Sequence, residues 1–336
     1  MNRIAALGSA NMDLVVRQPR LPQPGETLFG TGFSTVPGGK GLNQAGAAAR
    51  LGAVVDFIGM VGDDLHGEQL RVVLAREGVQ VDGLESSVEP TGTAHVSVVD
   101  SGENSIVVVS GANAALTGLS GPQRETIARA AFLMLQCELP VPVLAEGLAA
   151  ARAAGVFTVL TPAPVVALPE GFLDLVDLIV PNQLEAAGLT GQSDPVRAAE
   201  LLSAGGTWAI VTLGAEGSVV AFDGSVLGLA PARPVRAVDT TAAGDTFVGV
   251  LVARLAGGAG AAGSGDSGSD DGGSDDGGSG DGGSGDGGSG DGGRSISEAD
   301  MIDAVRWATV AASVAVTRPG ATSSMPTLAE VTAILA

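Results

Sequence analysis

At 336 residues, 45% of them apolar, the chain can bury one large core or two ordinary ones, which excludes a globally disordered protein. A formal net charge of −20 works against nucleic acid and anionic membrane surfaces as partners, because phosphates are repelled. No apolar run approaches the roughly 18 residues of a membrane helix. Asn11 and Asp13 interrupt the N-terminal apolar run and no small-residue cleavage site follows, so a secretory leader is not expected. Cys137, the single cysteine, cannot form an internal disulfide and fits a reducing, cytoplasmic setting.

In chain order, residues 4–7 read as a buried strand, 13–34 as a hairpin, 43–51 as a helix, 54–61 as a strand and 67–77 as a helix. A second hairpin over 93–109 turns at Asp100-Ser-Gly-Glu103. Strands at 132–135, 158–160, 175–180 and 209–212 then alternate with helices at 141–154 and 195–204. An apolar helix over 248–255 follows, and helices at 297–317 and 328–335 close the chain. Such alternation predicts an α/β fold with a mostly parallel sheet covered on both faces. The two hairpins, about 12–36 and 92–110, break the rhythm and predict a small separate sheet over a site on the main one.

Residues 257–293 are nearly all Gly, Ser, Asp and Ala and end in five pentapeptides, SDDGG twice and SGDGG three times. Eight aspartates lie there, so the rest of the chain carries −12. A segment with so little to bury predicts a solvated, self-repelling insertion. A calcium-binding β-roll would need an apolar residue in each repeat, and these repeats have none. Gly258, Gly260 and Gly263 match G-x-G-x-x-G, but they follow a helix and open this tract, outside the strand-to-helix context that gives the pattern meaning.

Chemistry concentrates in Asp239-Thr-Thr-Ala-Ala-Gly-Asp-Thr-Phe247. Ala242, Ala243 and Gly244 at a helix start let a ligand approach the backbone, whose N–H groups and dipole favour an anion. Asp245 would repel that anion unless it takes a proton from an attacking hydroxyl, the general-base task of phosphoryl transfer. An acidic residue in a first helical turn is also ordinary capping chemistry, and Asp245 alone does not separate the two readings.

The nonamer resembles the C-terminal signature of the ribokinase-like (PfkB) carbohydrate kinases, and Pro37-Gly-Gly-Lys-Gly-Leu-Asn-Gln-Ala45 resembles their N-terminal signature. Gly111-Ala-Asn-Ala-Ala-Leu-Thr117 is similar to the ribokinase branch, and the likeness runs from about residue 8 to 326. The resemblance implies one three-layer α/β/α kinase domain over 1–336 with a β lid. It also implies ATP-dependent phosphorylation of D-ribose at its 5-hydroxyl, with a deoxyribokinase or another sugar kinase as the alternative and a non-catalytic sugar binder behind these. Mg²⁺ and K⁺ are the implied cofactors, and a homodimer through the lid is the implied assembly.

The resemblance also assigns residues. Asp245 becomes the base, with Ala242, Ala243 and Gly244 as the anion hole. Gly39, Lys40, Asn43, Asn11, Asp13 and Glu138 would hold the sugar. Lys40 is the only lysine beside sixteen arginines, which marks a compact point charge that a guanidinium does not replace. Its glycines are not a P-loop, since no Ser or Thr follows. Asn11 and Asp13, two apart in an extended run, share a face suited to vicinal hydroxyls. Asn182-Gln-Leu-Glu185 fits a capping box and, by resemblance, a motif organising magnesium through water and phosphate. Thr212 and Gly214 at a strand end, with Asn182, Gly244 and Thr309, would meet ATP. Thr309 stands where the family often carries His or Asn, and Leu42 where Ala is commoner. Asp239, Thr241, Ala315, Arg318, Gly320 and Ser324 align with a monovalent cation site. His66 and His95 match no metal spacing.

Overall fold

The computed structural model describes residues 2–101, 103–258 and 294–336. The acidic tract expected over 257–293 lies outside the described residues except for Gly257 and Gly258, which finish the Ala243–Gly258 helix.

The strands, in chain order, are β1 (Arg3–Leu7), β2 (Asn11–Gln18), β3 (Gly32–Gly38), β4 (Val54–Gly62), β5 (Gln80–Ser87), β6 (Gly92–Val99), β7 (Asn104–Val109), β8 (Phe132–Gln136), β9 (Phe157–Thr161), β10 (Leu178–Ile179), β11 (Trp208–Thr212), β12 (Ser218–Phe222) and β13 (Ser225–Ala230). Nine of them form one sheet in the order β13-β12-β11-β10-β9-β8-β1-β4-β5, parallel from β5 to β11 and antiparallel at the β12–β13 edge. β8 and β9 are buried at every residue, which is why they read as unbroken apolar runs. Alternate side chains feed two cores: Ile4 and Ala6 pack with the Lys40–Arg50, Leu65–Arg76, Ala243–Gly258 and Glu298–Ala315 helices, while Ala5 and Leu7 pack with the Gly121–Ala128, Val141–Ala153, Gln183–Thr190 and Pro195–Leu202 helices. The expected three layers follow.

The expected hairpins form a four-stranded sheet in the order β3-β2-β6-β7. Its centre is a parallel β2–β6 pair, so the two hairpins join side by side. Three expectations need correction. The strand read over 175–180 shrinks to Leu178–Ile179, because Leu173–Leu175 takes a 3-10 turn before it. β5, a polar-alternating run at the sheet edge, was not expected. Nor was the β12–β13 hairpin, whose Asp223-Gly224 turn has positive φ at both residues (46° and 74°), as a two-residue type I′ turn requires. Among the described residues no helix is long and apolar enough to cross a membrane.

Candidate active site

Open parallel sheets bind ligands beyond the carboxyl ends of their strands. Here β1, β8, β9, β10 and β11 deliver Ser9, Glu138, Thr161, Asn182 and Thr212 to that edge. Two helices start there as well. Gly39 caps the Lys40–Arg50 helix with φ 92°, a conformation that suits glycine, and a Cβ on it would lie 2.9 Å from the Asn11 nitrogen.

Asp245, in the first turn of the Ala243–Gly258 helix, is 8% exposed. Its Oδ2 accepts from Asn43 Nδ2 at 3.0 Å and its Oδ1 from Gln44 Nε2 at 3.1 Å. Burial pushes its carboxyl above the ordinary range; the Lys40 charge and the two amides oppose that push, and Glu138 adds to it. For Lys40, burial works against the charge, but Asp245, Glu138 and Glu185 together hold its amine above the usual value. The lone lysine thus sits at the electrostatic centre of three carboxylates drawn from three different elements.

Glu138 Oε2 accepts from the Ser9 hydroxyl and, at 3.1 Å, from the Lys40 backbone N–H, tying β1, the loop after β8 and the helix start together. Asn11 and Asp13 lie two apart on β2, on one face. Asn113, buried, donates from Nδ2 to Asn11 Oδ1 at 2.7 Å and bonds both backbone groups of Ala10, so Asn11 keeps its Nδ2 donors for another partner. Gly38 crowds Asp13: a Cβ there would meet Oδ2 at 2.5 Å.

Burial first, and then the Glu138 charge, push Asp13 up to about 7. The folded protein therefore binds a proton that the unfolded chain, with a carboxyl pKa near 3.9, releases. Stability from this group is fully present below about pH 4 and is lost as pH rises through about 7. Thermal melts across that window should show wild type losing stability relative to Asp13→Asn as pH rises. Parallel curves for the two proteins would refute the assignment.

The Asn182–Glu185 capping box is formed in both directions, at 2.9 and 2.8 Å. It engages Glu185 Oε2 and leaves Oε1 for a further partner. Asn182 is bridged to Thr212, which places the strand-end residues side by side, and Gly214 follows with φ 60°. Thr309, on the Glu298–Ala315 helix, faces a cavity of about 390 Å³ that it shares with Val220, Gly228, Ala230, Val305 and Val310.

Ala242 holds a left-handed φ of 57°, a strained position for a residue with a Cβ. The Ala243 N–H, expected as an anion-hole donor, is taken by the Thr240 carbonyl at 3.2 Å, while Gly244 follows in the first helical turn. Asp239 accepts from the backbone N–H of Thr241 and of Gly320, each at 2.9 Å, and its own N–H reaches Val316 O, joining this loop to the end of the helix that carries Ala315. Burial opposes the Asp239 charge, but these hydrogen bonds outweigh it and hold the carboxyl below its usual range. The Arg318 side chain is committed to Glu330, and the Ser324 hydroxyl donates to Ala321 O at 2.7 Å.

A model of the pfkB family carbohydrate kinases matches residues 1–270. The chain is a pfkB family carbohydrate kinase. Among its kinase relatives, ribokinase of Haemophilus influenzae is 36% identical over 338 residues, covering 97% of this chain and 96% of that one. Ribokinase of Bacillus subtilis is 39% identical over 260 residues, covering 77% and 87%. The kinase fold superposes on Arabidopsis thaliana ribokinase complexed with ribose and ATP with a TM-score of 0.81 at 28% identity, covering 99% of this chain and 98% of that one.

The residues that motif reading missed in this kinase are amides. Gln44 and Gln136 are fully buried and connected to Asp245. A signal existed for each: Gln136 is the one polar residue in the strand Phe132–Gln136 and sits at its ligand-facing end, and Gln44 is a large amide in a helix of mostly Gly and Ala.

Proposed function

We propose that this kinase transfers the γ-phosphoryl group of ATP to the 5-hydroxyl of D-ribose, giving D-ribose 5-phosphate. The observation that carries the reading is Asp245: a carboxylate buried at a helix start, held by two amides beside a lone lysine. A carboxylate placed where phosphate binds is useful when it accepts the proton of the attacking hydroxyl, and a raised pKa makes it a better base. Asn43 supports a sugar neighbour, since its Oδ1 is buried without a partner and offers an acceptor to a hydroxyl. Asn11 and Asp13 face the same region with donors and acceptors for vicinal hydroxyls.

In this mechanism the sugar lies between the main sheet and the smaller sheet, which acts as a lid of the single kinase domain and excludes water. Asp245 takes the 5-hydroxyl proton onto its carboxyl as the phosphorus–oxygen bond forms and ADP departs. Gly244 and the helix start, with the Ala242–Ala243 backbone, stabilise charge on the transferred group. For that, the Ala243 N–H exchanges the Thr240 carbonyl for a phosphoryl oxygen. Thr212, Gly214 and Asn182 flank the phosphates, and the apolar cavity at Thr309 suits the flat base.

The free Oε1 of Glu185 would hold a magnesium ion through water, and the family resemblance gives the ionised Asp239, with carbonyls of Thr241, Ala315, Arg318, Gly320 and Ser324, as the groups that would hold potassium. When bound, such cations offset phosphate charge and orient the anion-hole amides. Residues Ile106 to Val109 of the edge strand β7, and Phe33 on the opposite edge strand β3, are all more than half exposed, bare apolar edges that support a homodimer through the lid in a cytoplasmic enzyme.

A coupled ADP-release assay with ATP, magnesium and potassium, comparing D-ribose, 2-deoxy-D-ribose, fructose and adenosine, tests the proposal. Ribose is expected to give the highest kcat/KM; preference for another acceptor, or no turnover with any, would overturn it.

A further inference from the structure

Behind Asp245 runs a chain of side-chain amides with a fixed direction. Gln136 Nε2 donates to Gln44 Oε1 at 2.7 Å, and Gln44 Nε2 donates to Asp245 Oδ1 at 3.1 Å and to Thr161 Oγ1 at 3.2 Å. Gln44 and Gln136 are both 0% exposed, so bulk solvent does not reach them. The last acceptor, Gln136 Oε1, has no hydrogen-bond partner among the described residues. It lies against Gly8, where a Cβ would approach it to 2.2 Å, so the absence of a side chain at residue 8 makes room for the amide.

The orphan follows from charge. An ionised carboxylate only accepts, so Gln44 must turn its NH₂ toward Asp245. Its carbonyl then faces Gln136, which must in turn present its own NH₂ and leave its carbonyl unpaired. A buried acceptor without a donor is destabilising, and reversing either amide would set two oxygens against each other. The arrangement therefore suits a negative Asp245, both of whose oxygens accept from amide donors.

We infer that Gln44 and Gln136 are positioning residues: a two-amide relay, anchored on β8 and β9, that fixes the plane of the Asp245 carboxylate for proton transfer. The inference rests on the proposed role of Asp245 as the base. Gln44 touches the carboxylate and Gln136 acts through Gln44. The other charged groups that face Asp245 are Lys40 from the Lys40–Arg50 helix, Glu138 from the loop after β8, and Glu185 from the Gln183–Thr190 helix; none of them contacts Gln136.

Two measurements test the relay. In Gln136→Met, KM for sugar and ATP should stay within about threefold while kcat falls on the order of tenfold to a hundredfold, the signature of lost geometry at the reacting group. Unchanged kcat in a folded variant would overturn the inference. So would a fall explained by a lower active fraction, with the pH profile of kcat/KM unmoved. The second measurement leaves both relay amides in place. In the intact protein, the side-chain amide NMR signals of Gln44 and Gln136 should move with pH along one common curve, and neither should move in Asp245→Asn. Independent curves, or movement that persists in Asp245→Asn, would overturn it. Failure of ribose as a substrate leaves this titration intact and so separates the two readings.

Discussion

Asp245→Asn is expected to lower kcat on the order of 10²- to 10⁴-fold, the range that a positioned general base supplies, with ribose and ATP still binding. The variant should fold, for a reason visible in its neighbours. The new amide would set an NH₂ against one of the two donors that now serve the carboxylate, Asn43 Nδ2 or Gln44 Nε2. Asn43 can reverse, because its Oδ1 has no partner to lose and would then accept from the new NH₂. Gln44 is held in place by Gln136. Isothermal titration with ribose and with a non-hydrolysable ATP analogue, beside steady-state kinetics, separates binding from turnover. Turnover within a few fold of wild type would remove Asp245 from the role of base.

The second large effect belongs to a residue that touches no substrate. Gly249 lies one turn beyond Asp245, and a Cβ on it would sit 2.4 Å from the Gln44 carbonyl and 2.6 Å from Ala47 Cβ. In an open helix Gly→Ala would stabilise by about 1 kcal/mol. At this crossing, overpacking of about 1–3 kcal/mol wins. Gly249→Ala should therefore lower the urea midpoint, and Gly249→Val should lower it further. Pushing the two helices apart also draws Asn43 and Gln44 away from Asp245, and a displacement on the order of 1 Å is worth about 10²-fold in rate. A folded Gly249→Val enzyme with wild-type kcat would show that the helix contact does not set the carboxylate.

Much of this arrangement was legible before any coordinates. The buried strands announced themselves as apolar runs, because a parallel strand covered on both faces has no polar side to show. The hairpins of the smaller sheet stood out by breaking the alternation. β5 was hidden because an edge strand facing solvent on one side mixes Gln80, Asp82 and Glu85 with its apolar residues. The Asp223-Gly224 turn carried a legible hairpin signal between two apolar runs. The motifs pointed at Asp245, Lys40 and Asn43, but not at what holds them. Gln136 reaches Gln44 across 92 residues of chain and Asn43 reaches Asp245 across 202, and spacing in sequence carries no trace of such pairs. Local chemistry was clearer: Asn182 and Glu185 fitted a cap by sequence, and the cap is formed.

The lone lysine has an experimental consequence. With Lys40 as the single side-chain amine in 336 residues, any acylation of a side-chain amine is an event at the carboxylate cluster around Asp245. The protein carries its own stoichiometric reporter: one added mass beyond the N-terminus means one modified Lys40, and a ligand that shields it can be read on a mass spectrum without radiolabel or coupled enzyme. Surface immobilisation through amines has the opposite value, since the coupling chemistry that tethers most proteins harmlessly has here no side chain to use but Lys40, beside Asp245.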